Sequence, residues 1–354
     1  MLNCLDLCAA SSLPCQRGEC SGIEKRSGIE KRSVIDKRSV VEKRSVVDSS
    51  AVKAAASPLS LFDRVPSLAG SPRQVAALPG GLTNRNYKVS TPAGVFVARV
   101  FADGGLLAID REHEYRNSLI AAAAGVGAPI IDYRADDQML VLQFLPGRTL
   151  SNSDVVENGM LARIAAACRA LHGAGRFVCD FDMFEVQARY RATAAAHGLA
   201  IPAGYDDLAP AFTAARRALT ATAEGTVPCN NDLLAANFID DGARIWLIDY
   251  EYAGNNDPCF ELGNIGGECG LDAAALEALV TAYYGRARRS RIARAELFRL
   301  VSRYGWALWG AIQYATSEIE ADFWSWATER FDLAAAGLTA TEFGRLLADA
   351  QHPD

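Results

Sequence analysis

Apolar and polar positions change rhythm twice along the chain. From about Leu59 to Gly147 they form short strand-like runs: LPGGLTNRNYKVST, then GVFVARVF, then a helical stretch over Ile109–Ala124, then APIIDYR and QMLVLQFLPG. In GVFVARVF, Val95, Val97, Arg99 and Phe101 alternate with Phe96, Ala98 and Val100, the period of a strand. The predicted order is strand, turn, strand, helix, strand, strand. After Gly147 the period becomes helical, with alanine-rich segments at 159–173, 185–197 and 208–223. A short strand pair around Asn237–Asp240 and Arg244–Asp249 interrupts them, and helices resume from about Leu271 to Leu347. A small antiparallel β region followed by a larger helical one is an α+β layout. Three segments follow: a low-complexity tail at 1–57, a β lobe at 58–147 and a helical lobe at 148–354.

The tail repeats a hexad four times over residues 21–44 (SGIEKR, SGIEKR, SVIDKR, SVVEKR). Three charges in every hexad leave no continuous apolar stripe for a stacked solenoid, so the tail is expected to be disordered. The net charge of −6 hides an asymmetry: residues 1–50 hold nine Lys and Arg against seven Asp and Glu, leaving 27 against 35 beyond them. An acidic body argues against a nucleic-acid partner and suits a small cationic ligand. Half of the residues are hydrophobic, enough for a sizeable core, yet no apolar run reaches the ~20 residues of a spanning helix. The N-terminus lacks a convincing secretory signal, so a cytoplasmic protein with no membrane insertion is expected. The nine cysteines show no C-x-x-C spacing. Cys168, Cys179, Cys229, Cys259 and Cys269 are expected to be reduced core residues. His113, His172 and His197 read as surface or capping residues, and Arg286–Arg294 as a solvated basic cluster.

Three features carry chemistry. Gly80 and Gly81 sit in a turn, GGLTNRN, between two strand-like runs, where backbone N–H groups can approach phosphate oxygens. An arginine in an apolar strand needs an anion, and outside the tail the only lysine is Lys88, so Arg99 is the candidate phosphate cation of its strand. Glu114, on the helix that follows, is its expected partner. The third feature is CNNDLLAANF, in which Asp232 precedes Asn237 by five residues, followed by the apolar run WLID ending in Asp249. That spacing suits phosphoryl transfer: Asp232 as the base that orients a hydroxyl, Asn237 and Asp249 as magnesium ligands.

With these motifs the chain resembles the choline/ethanolamine kinase family, in the aminoglycoside-phosphotransferase and protein-kinase-like superfamily, from about Leu78 to Phe331. The family pattern H-N-D-x-x-x-x-N is met by Asn231, Asp232 and Asn237. Its I-D-[FY]-E-Y is met by Ile248–Tyr252, and its G-G-L-T-N turn by Gly80–Asn84. Asn230 departs from it, standing where the family has a His that usually acts as a structural brace. The resemblance implies a two-lobed kinase fold with ATP and Mg2+ as cofactors. Thr83, Asn84, Arg99 and Glu114 would then join the glycines around the nucleotide. GWALWGAIQ is similar to the family's W-G-L-W-x-x-x-Q helix, which implies that Trp306 and Trp309, with Trp326 and Tyr252, wall a quaternary ammonium beside Glu268. The expected acceptor is therefore choline or a related amino alcohol. Ethanolamine, thiamine or an aminoglycoside remain open as acceptors, as does a nucleotide-binding protein without turnover at Asn230. Oligomeric state is not legible.

Overall fold

The computed structural model describes residues 58–352, apart from 80, 82, 102–104 and 224. The hexad repeat, Cys4, Cys8, Cys15, Cys20 and Gly80 lie outside the described residues. The first part of the described chain runs α1 (Pro58–Phe62), β1 (Gln74–Leu78), β2 (Asn84–Thr91), β3 (Gly94–Phe101), α2 (Arg111–Ala123), β4 (Ile130–Arg134) and β5 (Met139–Gln143). After β6 (Arg148–Thr149) and α3 (Asn152–Val155) come α4 (Met160–His172), α5 (Met183–Ala196) and α6 (Ala209–Ala221). The chain continues through β7 (Val227–Cys229), β8 (Phe238–Asp240), β9 (Ile245–Leu247) and β10 (Gly254–Asn256). It closes with α7 (Pro258–Glu268), α8 (Ala273–Tyr284), α9 (Arg289–Thr316), α10 (Phe323–Leu338) and α11 (Phe343–Ala350).

The β lobe is an antiparallel five-stranded sheet in the order β1-β2-β3-β5-β4. One face buries Val89, Phe96, Ala98 and Val141 against Phe62, Val65 and Leu68. The alternation along β3 turns Arg99 to the other face, and because β3 is central, with Asn86 and Leu140 as neighbours in register, that arginine cannot escape to a sheet edge. Asp110 caps α2 by accepting from the His113 N–H, which sets Glu114 in its first turn beneath β3.

The helical lobe is built around α9, which packs on α5, α7, α10 and α11. The expected start of helices near Leu271 is too late, because α7 begins at Pro258. Its three glycines make it read as loop, but they serve contact: a Cβ on Gly263 would lie 2.4 Å from the Ala295 carbonyl of α9. Asp257 caps α7 and Pro258 occupies its first turn, where a missing N–H costs nothing. Two short strand pairs beyond the sequence expectation, β7 with β10 and β6 with β8, frame the loop that carries Asp232. Among the described residues no helix is long and apolar enough to cross a membrane.

Candidate active site

Asp232 lies in the loop between β7 and β8, and α7 holds that loop from below. Fully buried Glu261 accepts the backbone N–H groups of Asn230 at 2.8 Å and Asn231 at 2.7 Å, one on each carboxylate oxygen. Asn231 adopts a left-handed φ of 68°, which asparagine tolerates, and its amide donates toward the carbonyls of Cys229, Tyr252 and Gly254. Asn230 fulfils the bracing expected of a histidine by other means. Its amide donates to the carbonyls of Asp249 at 2.8 Å and Ile248 at 3.2 Å, and its oxygen accepts the Asp232 N–H at 3.1 Å. Asn237 closes the loop by donating to the Asp232 carbonyl at 2.8 Å.

The side chains then divide the labour. The Asp232 carboxyl is half-buried and makes no hydrogen bond among the described residues. Burial first, then Glu268, Asp249, Glu251 and Glu261, raise its pKa well above the usual carboxylate range. Only cations would make a deprotonated Asp232 comfortable, so the site is electrostatically prepared to receive them. Asp249 also sits at a left-handed φ, 67°, a strained conformation for a non-glycine residue that the surrounding hydrogen bonds sustain. Its carboxylate meets Arg99 twice, at 2.8 and 2.5 Å. Arg99 also reaches Glu114 at 2.7 Å, the partner expected from sequence. Burial alone would lower the arginine's pKa, but Asp249 and Glu114 outweigh it and keep the guanidinium charged.

Thr83 and Asn84, expected at the nucleotide, turn their side chains to Glu251. Thr83 donates to both of its oxygens at 2.9 Å, and Asn84 to one at 3.1 Å. Arg111 completes this network, bonding Glu251 at 3.1 Å and Glu114 at 2.7 Å over the ring of Phe101. Arg111 escaped the sequence analysis, and Glu251, though part of the motif matched at Ile248–Tyr252, received no role there. Gly81 turns the chain above them at φ 94°, where a Cβ would come within 2.9 Å of the Asn84 carbonyl.

The aromatic residues expected at an acceptor do converge. Trp309 donates its indole N–H to the Tyr252 hydroxyl at 2.8 Å and meets Trp326 edge to face at 5.3 Å. Tyr252 packs against Trp306 at 4.9 Å, and Trp306 donates to Asn264. Trp306 and Trp309 are buried at 2% and 6% exposure, so they are as much core as wall. Glu268 is not a free acidic group: Arg330 binds both its oxygens, at 3.2 and 3.1 Å, and lies 4.6 Å from the centre of the Trp326 ring. Arg330 went unnoticed in sequence, though it follows Trp326 by four residues on one helix.

Oxygen-only donors suit a hard cation. Asn237, whose amide oxygen accepts no hydrogen bond among the described residues, and Asp249 fit magnesium on that chemistry.

Two expectations fail outside this centre. His172 is not a surface residue: it is buried, with its Nε2 3.6 Å from Cys229 Sγ and 3.7 Å from Glu261, and its Nδ1 2.7 Å from the Tyr283 hydroxyl. The chain folds it inward because α4 closes over the back of the Asp232 loop. The Arg286–Arg294 cluster is only partly solvated. Arg291 and Arg294 are buried, and Arg294 pairs with the α7 cap Asp257 while donating to Thr222 and the Leu219 carbonyl. Position on the inner side of α9 decides this, which a charge run does not reveal. The cysteines behave as expected: Cys168, Cys229, Cys259 and Cys269 are free and buried, Cys179 free and partly buried.

Comparison with known proteins agrees with this geometry. The profile of the "Phosphotransferase enzyme family" matches residues 74–293. Protein LicA of Haemophilus influenzae is 27% identical over 269 residues, covering 72% of this chain and 77% of LicA. Ethanolamine kinase 1 of Mus musculus is 24% identical over 311 residues, covering 74% and 83%. Among solved structures, a choline/ethanolamine kinase family protein from Mesorhizobium loti superposes with a TM-score of 0.74 at 31% identity, covering 83% of this chain and 98% of its own. A LicA crystallised in complex with AMP shares the fold at a TM-score of 0.65 and 21% identity, covering 79% and 96%.

Proposed function

Because the chain belongs to the choline/ethanolamine kinase family of phosphotransferase enzymes, acting on alcohol groups, we propose that it transfers the γ-phosphoryl group of ATP to the hydroxyl of choline. The observation that carries the reading is Asp232: its carboxyl makes no hydrogen bond among the described residues and feels the charges of both Glu268 and Asp249, while its backbone N–H is tied through Asn230 to the segment of Asp249. Residues 58–147 form the nucleotide lobe and 148–354 the acceptor lobe. Asp232 accepts the hydroxyl proton as phosphoryl transfer proceeds. Asn237 and Asp249 are the residues that would hold magnesium, which supplies neutralising charge to the phosphate oxygens when bound. Arg99, fixed by Glu114, offers a cation to the phosphates. Gly80 and Gly81 offer backbone N–H groups, and Thr83 and Asn84 hold that turn in place through Glu251.

Choline is favoured over ethanolamine because Tyr252, Trp306, Trp309 and Trp326 cluster ring against ring, while Glu268, the carboxylate expected beside them, already has both oxygens on Arg330. A primary ammonium needs acceptors to replace its hydration, whereas a quaternary one is held by ring faces. Steady-state kinetics with ATP and a panel of choline, ethanolamine, thiamine and an aminoglycoside test the reading. Choline is expected to show a kcat/KM about tenfold above ethanolamine. An equal or higher value for ethanolamine overturns the preference, and turnover of none of the four overturns the acceptor class.

A further inference from the structure

Arg330 holds together two sides of the acceptor site that lie on different helices. Glu268 ends α7 and Trp326 stands in the first turn of α10. Arg330, one turn beyond Trp326, lays its guanidinium over the indole and binds Glu268 through Nε and Nη2. The contact is side-on and uses both carboxylate oxygens, the geometry that fixes a carboxylate's orientation as well as its charge. Both side chains are largely shielded, Glu268 at 7% and Arg330 at 12% exposure. Neither the nucleotide network of Arg99, Arg111 and Glu251 nor the Asp232 loop accounts for this pair.

We propose that Arg330 is a positioning residue for acceptor binding, orienting the Glu268 carboxylate and the Trp326 ring as one unit. The proposal rests on the amino-alcohol reading and deepens it, since it names what sets the shape of the acceptor wall. A lysine at this position keeps the charge but cannot grip both oxygens while covering an indole. Geometry and charge are therefore separable by mutation. Nearby Arg303 and Arg299 on α9 supply further positive charge, so charge alone is not what Arg330 uniquely contributes.

The test compares Arg330→Lys and Arg330→Met with the wild-type full chain. Both are expected to raise the choline KM, by about tenfold for Met and less for Lys, with the ATP KM within twofold and kcat reduced less than the acceptor KM rises. Choline binding to nucleotide-free protein, measured by titration calorimetry, is expected to weaken by the same factors. In a Glu268→Gln background, Arg330→Met is expected to add little, because the pair acts as a unit. Tryptophan emission gives a readout that needs no acceptor: Arg330→Met and Glu268→Gln are expected to cause the same change, absent in a Trp326→Phe background. Additive effects of the two substitutions, or choline and ATP KM values changing together, would show that Arg330 merely supports the fold. Unaltered emission in Arg330→Met overturns the proposal even if neither choline nor ethanolamine is a substrate. Absence of amino-alcohol turnover with the emission coupling intact would sink the acceptor reading instead.

Discussion

Thr83 donates its hydroxyl to the Glu251 carboxylate with both oxygens at 2.9 Å, joining segments 168 residues apart in the chain. Asn84 and Arg111 reach the same carboxylate, so the turn that begins with the glycines is anchored to the strand end carrying Asp249. Burial and the carboxylates of Asp249 and Glu114 raise the Glu251 pKa, against the pull of Arg99 and Arg111. Thr83→Val removes the hydroxyl's bond to Glu251, worth about 1 kcal/mol, together with the weaker one it accepts from the Asn84 amide, and frees one end of the turn. The ATP KM is expected to rise about fivefold while the acceptor KM stays constant. Steady-state kinetics with each substrate varied would show it, and an unchanged ATP KM would remove Thr83 from the nucleotide side of the site.

Asn230 links the two acids through its amide. Asn230→Asp preserves shape but turns an acceptor oxygen toward the carbonyls of Ile248 and Asp249, replacing two attractions by repulsions. Because the chemistry depends on the relative placement of Asp232 and Asp249, kcat is expected to fall about 100-fold, with the protein still folded by circular dichroism. Asp232→Ala is expected to abolish turnover with ATP binding retained, whereas Asp249→Ala weakens Mg-ATP binding too. Full activity in Asn230→Asp would show that the loop is placed by Glu261 and Asn231 alone.

The site that sequence made legible is the part written in short spacings or in a charge set against its surroundings. Asp232, Asn237 and Asp249 were readable from one interval and one apolar strand, and Arg99 from being the wrong residue in GVFVARVF. Glu251, Arg111 and Arg330 were not, because each works through a contact with an element far away in the chain. The same limit explains His172 and Arg294: helical pattern places them on helices, but only the packing of α4 and α9 decides that those faces point inward. Glycine-rich α7 was misread for a related reason, since propensity records the local cost of Gly263 and not the close approach to α9 that it permits.

Arg163 on α4 grips Asp240 on β8 with two hydrogen bonds of 2.7 Å, beside the Asp232 loop. The Arg163 bond first, then the Gly242 N–H, depress the Asp240 pKa to about 2 despite some opposing burial. A depressed carboxylate pKa stabilises the fold above the ordinary value near 4, and that stabilisation is lost as pH falls from about 4 to about 2. Arg163 is about one-third exposed, so solvent screening keeps the effect to about 1 kcal/mol. Arg163→Met is therefore expected to lower stability by about that amount at pH 7 and hardly at all at pH 2, read as urea midpoints at each pH. An equal loss at both values would assign the effect to the arginine's packing.

Gly310 lies under the aromatic wall, inside the C-terminal third of α9, where a glycine costs about 0.5–1 kcal/mol relative to alanine. Its missing Cβ is what lets α10 approach: an added one would stand 2.7 Å from Cε3 of Trp326 and 2.9 Å from Cβ of Ala327. Trp326 is half-buried and able to move aside, while Ala327 is fully buried and is not. Gly310→Ala therefore gains helix propensity, loses that gain or more to the Ala327 contact, and expresses the remaining strain by tilting Trp326 away from Trp309. The net change in Tm is expected to stay within about 4 °C in either direction. The choline KM is expected to rise about fivefold with the ATP KM unchanged, since on the proposed reading Trp326 belongs to the acceptor wall and not to the nucleotide network. A fall of Tm well beyond that range would mean that α9 and α10 cannot adjust locally. A choline KM equal to wild type, with Tm preserved, would show that Trp326 lies outside the acceptor's reach.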